Sequence, residues 1–190
     1  MNFDRSSQEK IVLVTGASRS GKSEFAEVLA RKSDLQVTYI ATAKIDNTDA
    51  EWQAKIFKHQ QRRPKNWQTA TIFDTKLSAY ILKAEPLECL LIDSVGTWIV
   101  NFLDLEQPKW ERIVNTFLAN LKASKAKIIF VGEETGWGVV PAYPIGRLFR
   151  DRLGHLSRQI ANVADSTYLV AGGHVLNLSV LGERLSNYEI

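Results

Sequence analysis

The chain has 190 residues, 45% hydrophobic and 24% charged, with a formal net charge of +3 and one cysteine. That length suits one domain with a substantial core, and so mild a charge argues against nucleic acid as a partner while favouring phosphorylated ligands. A single cysteine excludes an intrachain disulfide and suits a reducing, cytoplasmic compartment. No segment is long and apolar enough to span a membrane, and residues 1–10 read as a flexible polar lead-in without a signal-peptide core.

The first element is the run Ile11-Val12-Leu13-Val14-Thr15, short, β-branched and apolar as a buried strand should be. It leads into Gly16-Ala17-Ser18-Arg19-Ser20-Gly21-Lys22-Ser23, a complete G-x-x-x-x-G-K-[ST] phosphate-binding pattern. From Lys22 to Lys32 the residues Phe25, Val28 and Leu29 recur at helical spacing, with Ala26 and Ala30 as good helix formers. A strand, a glycine loop and a helix N-terminus together make an anion cradle of backbone N–H groups. In it Lys22 is expected to reach the β/γ-phosphates and Ser23 to ligate Mg²⁺.

Strand-like and helix-like runs then alternate. Gln36–Ala41 is expected to be a strand, Asn47–Gln61 a helix, Trp67–Phe73 a strand, Thr75–Lys83 a short helix and Glu88–Asp93 a strand. Val95–Leu103 and Lys109–Lys122 read as helices, the second started by Pro108. Lys127–Val131 is a strand, Ile145–Val163 a helix, Thr167–Ala171 a strand and Val175–Val180 a last strand, turned by Gly172-Gly173. Such alternation predicts an α/β fold, a mainly parallel sheet with helices on both faces. Residues 11–190 form one domain in this reading, without repeat or linker.

Four positions carry further chemistry. Asp93 ends the apolar strand Cys89-Leu90-Leu91-Ile92, where an acid at a parallel strand's carboxyl end faces the phosphate loop and holds Mg²⁺. The competing role is an N-cap of the next helix. Glu133 and Glu134 follow another apolar strand and are either a proton acceptor for a substrate hydroxyl or a solvated loop pair. His59 sits before Arg62, Arg63 and Pro64. A histidine on a charged helix is commonly a surface residue. Here the arginine forks supply cations beside an imidazole that can attack phosphorus. Cys89 reads as a small buried core residue, and His155 and His174, without metal-ligand spacing, as structural.

In order along the chain, the phosphate loop is followed by Tyr39-Ile40-Ala41-Thr42, Lys55-Ile56 through His59 to Arg63-Pro64, and Trp67 with Thr69. Then come Leu91-Ile92-Asp93 with Asn101, Glu134-Thr135-Gly136-Trp137-Gly138-Val139-Val140-Pro141, Arg147-Leu148-Phe149-Arg150-Asp151, Gly154 and Ala164-Asp165. This series resembles the bifunctional adenosylcobinamide kinase / adenosylcobinamide-phosphate guanylyltransferase family from Ile11 to about Gly173. The resemblance implies a RecA-like P-loop NTPase domain that assembles as a homotrimer and acts in cobalamin biosynthesis. It implies ATP or GTP and Mg²⁺, and a corrinoid, adenosylcobinamide, as the acceptor. Its members phosphorylate the aminopropanol hydroxyl and then transfer GMP from GTP onto the new phosphate through a guanylylated histidine.

By that resemblance His59 stands at the nucleophile's position, with Lys22 and Arg63 as its catalytic companions. Gly16, Ala17, Ser18, Arg19, Ser20, Gly21, Lys22 and Ser23 hold nucleotide phosphates. Thr42, Ala43, Lys44, Gln60, Gln61, Arg62 and Arg63 form neighbouring binding loops, and Asp93 joins Ser23 at the metal. Some positions depart from the family pattern: Glu133-Glu134 replace Asn-Glu, Ser157 and Arg158 replace an Asn-Gln pair, and Thr71 replaces an acid. Lys55 stands for arginine and Trp52 for methionine. Two other readings of the residues stay open: a P-loop kinase of another small hydroxylated metabolite, and a silent nucleotide-binding module that regulates a partner.

Overall fold

Alternation within the strands decides the layers of this protein. In a strand, successive side chains point to opposite faces. Ile11 and Leu13 of β1 (Ile11–Gly16), Leu90 and Ile92 of β4 (Glu88–Asp93), and Ile128 and Phe130 of β5 (Lys127–Glu133) pack into one buried cluster. Their neighbours Val12, Val14, Cys89, Leu91, Ile129 and Val131 pack into another. Strands apolar on both faces belong inside a parallel sheet covered on both sides.

The structure, a computed structural model, describes residues 9–44 and 63–188. The expected helix Asn47–Gln61, with His59, Gln60, Gln61, Arg62, Lys55 and Trp52, lies outside the described residues. Besides those named, the strands are β2 (Gln36–Ala41), β3 (Gln68–Thr71), β6 (Ser166–Ala171) and β7 (His174–Asn177). Their order is β3-β2-β4-β5-β1-β6-β7. Every pairing is parallel except β6 with β7, which is antiparallel.

Among the described residues, the longer helices around the sheet are α1 (Lys22–Arg31), α2 (Lys76–Lys83), α3 (Val95–Val100), α4 (Gln107–Ala123) and α5 (Pro144–Val163). The face of Leu13 and Ile92 is covered by Leu77 and Ile81 of α2, Trp98 of α3, Phe117 of α4, and Leu153, Leu156 and Ile160 of α5. The other face takes Ala26, Leu29 and Ala30 of α1. The expected α/β sheet with helices on both faces is therefore what forms.

Two element ends fall three residues short of the sequence reading, and the other described ends differ by two residues at most. The last strand stops at Asn177 rather than Val180, because the Asn177 side chain accepts from Ser179 N at 3.0 Å and caps a short helix, α6 (Leu178–Leu181). The helix expected over Val95–Leu103 ends at Val100. Asn101 Nδ2 donates to Thr97 O (2.8 Å) and Trp98 O (3.2 Å), taking up its terminal carbonyls. Beyond it, the buried Arg152 donates to Phe102 O (2.7 Å) and Leu105 O (2.6 Å) and so fixes the turn that follows.

Candidate active site

The carboxyl ends of β1, β5 and β4 lie side by side, with Gly16 paired to Glu133 and Asp93 to Val131. Ligands of open parallel sheets bind at this edge. From Gly16 the chain turns tightly: Ser20 N donates to Ala17 O at 3.2 Å, and Arg19 and Gly21 take left-handed φ values of 60° and 96°. Gly16 has no alternative, since a Cβ there would stand 2.4 Å from Val170 O and 2.6 Å from Ser20 Oγ. Gly21 is the N-cap of α1, and no side chain caps that helix. Its first turn thus presents backbone N–H groups and the positive end of the dipole to the loop. Lys22 and Ser23, both half-buried, begin the helix. The Lys22 ammonium lies across the loop, donating to Ala17 O at 3.2 Å.

The turn from β4 into α3 is built the opposite way. Ser94, not Asp93, is the N-cap: its side chain accepts from Thr97 N, and Ser94 N donates to Thr97 Oγ1 at 3.0 Å, a reciprocal capping box. The capping role considered for Asp93 therefore belongs to its neighbour. Asp93 instead accepts from Tyr39 Oη at 3.1 Å, on the sheet face that α1 covers. Burial first, and then the Asp93 charge, push the Tyr39 phenol well above its ordinary pKa, so it stays a donor. Arg63, half-buried, lays its guanidinium over the Tyr39 ring, 3.2 Å from the centroid. The row Arg63–Tyr39–Asp93 thus runs across the carboxylate edge.

Thr42 was expected to bind nucleotide. It is 0% exposed, and its hydroxyl donates to Ser94 O (2.6 Å) while accepting from Ser94 N (2.8 Å). Its side chain offers nothing to a ligand here; it ties the end of β2 to the turn that carries Asp93. Asn101 Nδ2 reinforces the tie by donating to Thr42 O at 3.1 Å. Ala43 is half-buried and Lys44 exposed, just beyond this knot.

Glu133 and Glu134 are not a solvated pair. The Glu133 carboxylate is tucked against the α3 start, accepting from Ser94 Oγ and from Gly96 N at 2.8 Å. Burial raises its pKa, against those two hydrogen bonds, which lower it. Glu134 N donates to Gly16 O at 3.0 Å, and its carboxylate accepts from Gly136 N at 2.7 Å. Both glutamates line a cavity of about 250 Å³ with Thr15, Arg150, Ser157 and Arg158. Ser157 Oγ is buried there without a hydrogen-bond partner among the described residues.

A metal would find no protein cage: among the described residues, no group of three or more His, Cys, Asp or Glu side chains converges. That donor set suits Mg²⁺, which keeps several waters and takes a carboxylate or two plus substrate phosphates. Ser23, half-buried at the start of α1, and Asp93, at the end of β4, are the two residues expected at a metal. Thr71 ends β3 exposed, paired with Ala41. His155 is exposed on α5, and His174 Nδ1 lies 2.9 Å from Gly172 O in the β6–β7 hairpin. The residues missed by sequence reasoning are Ser94 and Thr97. Their S-x-x-T spacing is a cap signature, shifted by one residue from the acid that drew attention.

Residues 12–178 match the model of the family described as cobinamide kinase / cobinamide phosphate guanyltransferase. The chain is 35% identical over 177 residues to the bifunctional adenosylcobalamin biosynthesis protein CobU of Escherichia coli (strain K12), covering 86% of this chain and 96% of that one. It is 37% identical over 177 residues to the bifunctional adenosylcobalamin biosynthesis protein CobP of Pseudomonas aeruginosa, covering 91% and 98%. Among solved structures, a protein of Pyrococcus horikoshii OT3 aligns with a TM-score of 0.52 at 9% identity, over 89% of this chain and 85% of that one. A type III secretion system ATPase aligns with a TM-score of 0.51 at 12% identity, over 90% and 53%. These two show the fold alone.

Proposed function

The chain belongs to the cobinamide kinase / cobinamide phosphate guanyltransferase family, and from that premise we propose that it carries out both reactions on adenosylcobinamide. The observation that supports this best is the uncapped glycine turn holding Lys22 and Ser23, set at the sheet edge that also carries Asp93. Phosphates need such open N–H groups, and a silent module would not need an acid opposite them.

In the kinase step the acceptor hydroxyl oxygen attacks the γ-phosphorus of ATP or GTP, its proton passes to solvent, and the bond to the β-phosphate oxygen breaks to release the nucleoside diphosphate. Lys22 moves from Ala17 O onto the β/γ-oxygens and neutralises the charge that gathers there. The N–H groups at the head of α1 hold the same oxygens in place. Ser23 and Asp93 would hold Mg²⁺, which would supply further neutralisation of the phosphate charge. In the second reaction His59 attacks the α-phosphorus of GTP and pyrophosphate leaves. The phosphate of the corrinoid then attacks that phosphorus and the imidazole departs, so one difficult transfer becomes two easier ones. Arg63, flanking the histidine in sequence, offsets charge on the α-phosphate, and Gln60, Gln61 and Arg62 complete that loop. We place the protein in the cytoplasm as a homotrimer. Leu176, Val180 and Leu181, exposed at the β7 edge, are apolar surface available to such an assembly.

Mass spectrometry of the protein after incubation with GTP and Mg²⁺ tests the reading. A GMP adduct is expected on the peptide containing His59 and is absent from His59→Ala. No adduct, or the same adduct on His59→Ala, removes the nucleophile. Formation of phosphorylated cobinamide excludes both the silent module and a kinase of another metabolite.

A further inference from the structure

Between the end of β5 and the start of α5 the chain throws out a short tongue, residues 134–143. Trp137, Val139, Val140 and Tyr143 in it are 73%, 95%, 60% and 77% exposed, and Ile145, in the first turn of α5, is 59% exposed. Isolated exposed hydrophobics are ordinary, but five within nine residues at one sheet edge form a patch that calls for an occupant.

This tongue is braced. At its root Glu134 N donates to Gly16 O, the first residue of the phosphate loop, at 3.0 Å. The Arg150 guanidinium donates to Gly136 O. Arg147 Nη1 donates to Pro141 O (3.1 Å) and Ala142 O (2.6 Å). Gly146 packs so closely on Pro141 that a Cβ there would stand 2.8 Å from the proline Cβ. Two arginines are thus spent on the tongue's own carbonyls, while its apolar side chains face outward. Such pre-organisation lowers the entropic cost of binding.

We propose that the tongue is the platform on which the corrin macrocycle of the acceptor lies, with Trp137, Val139 and Tyr143 against its face. The inference rests on the functional reading above. A corrin ring is broad and flat, with largely apolar faces and an amide-bearing rim. Exposed aromatic and branched aliphatic side chains suit its faces. The root at Gly16 is continuous with the phosphate loop, so a ring on the tongue keeps its side-chain hydroxyl within the reach of the same active site. A stable contact with a second copy of the chain takes ~20–30 residues a side, more than this tongue supplies.

The test is the triple variant Trp137→Ser/Val139→Ser/Tyr143→Ser, assayed as full-length protein. The KM for cobinamide, with nucleotide saturating, should rise at least about tenfold. The affinity for GTP and the yield of GMP adduct without corrinoid should stay at wild-type levels. An unchanged KM overturns the proposal, as does a change in hydrodynamic mass, which would assign the tongue to a contact between copies. If the triple variant does not fold, Val139→Ser alone should raise KM about threefold, and an unchanged value is equally decisive. A wild-type protein that binds GTP yet never modifies cobinamide defeats the functional reading itself, a result distinct from either.

Discussion

Two strand-to-helix turns sit at the same edge of this sheet and are built on opposite principles. The β1–α1 turn has a glycine in the left-handed region as its N-cap and no side-chain cap. The β4–α3 turn has Ser94 and Thr97 in a full capping box, with Thr42 and Glu133 hydrogen-bonded to Ser94 as well. A helix start needs partners for its N–H groups. In the second turn the protein supplies them; in the first no side chain does, which fits the proposed phosphate site. The closed turn is a fixture that holds one acid, Asp93, at a set position.

Substitutions that confuse the two designs should separate catalysis from stability. The largest effect is expected for Lys22→Ala, which removes the ammonium lying across the open turn. Turnover should fall on the order of 10²–10³-fold with the melting temperature unchanged, and steady-state kinetics beside thermal melts check both. Asp93→Asn should raise the Mg²⁺ needed for half-maximal activity about tenfold, seen by Mg²⁺ titration of turnover. Tyr39→Phe, which takes away the Asp93 donor, should move it in the same direction by less.

In the closed turn the effect appears as stability. Ser94→Ala should cost ~1–2 kcal/mol in denaturant unfolding, and Thr42→Val a similar amount. Glu133 gives a pH signature. Burial favours its protonated form, so above the ordinary glutamate range the folded protein holds more protons there than the unfolded chain. Stability on this account falls as pH rises from that range toward the raised folded value. Glu133→Gln should flatten that slope, as melts across a pH series would show. The smallest effect concerns Cys89, whose thiol burial pushes up to about 11. It should resist alkylating reagents at pH 8 until the protein unfolds.

The sheet was largely legible from sequence because its strands are continuous apolar runs. The bounds of β2 and β4 fall on Gln36–Ala41 and Glu88–Asp93, as the runs predict. The turn from β1 into α1 was legible because its signals are local: strand, glycines and helix are contiguous. The closed turn was not. Thr42 meets Ser94 across 52 residues, and Glu133 meets Ser94 across 39. No local pattern says that a threonine after a strand will be fully buried, or that a glutamate will seal another strand's turn. The overrun of the last strand has a similar cause. Val175–Val180 reads as a strand by its apolar pattern, and what interrupts it is the Asn177 side chain capping the backbone N–H of Ser179.

Calorimetric titration of GTP with Mg²⁺ into Gly21→Ala and Ser94→Ala proteins, each well below its melting temperature, tests the central claim most directly. Gly21 has φ +96°, where a Cβ is strained, and its place is the mouth of the open turn. The account predicts that Gly21→Ala loses most of the binding heat, while Ser94→Ala, although less stable, binds GTP as the wild type does. Full GTP binding by Gly21→Ala, with loss of binding in Ser94→Ala, would contradict it.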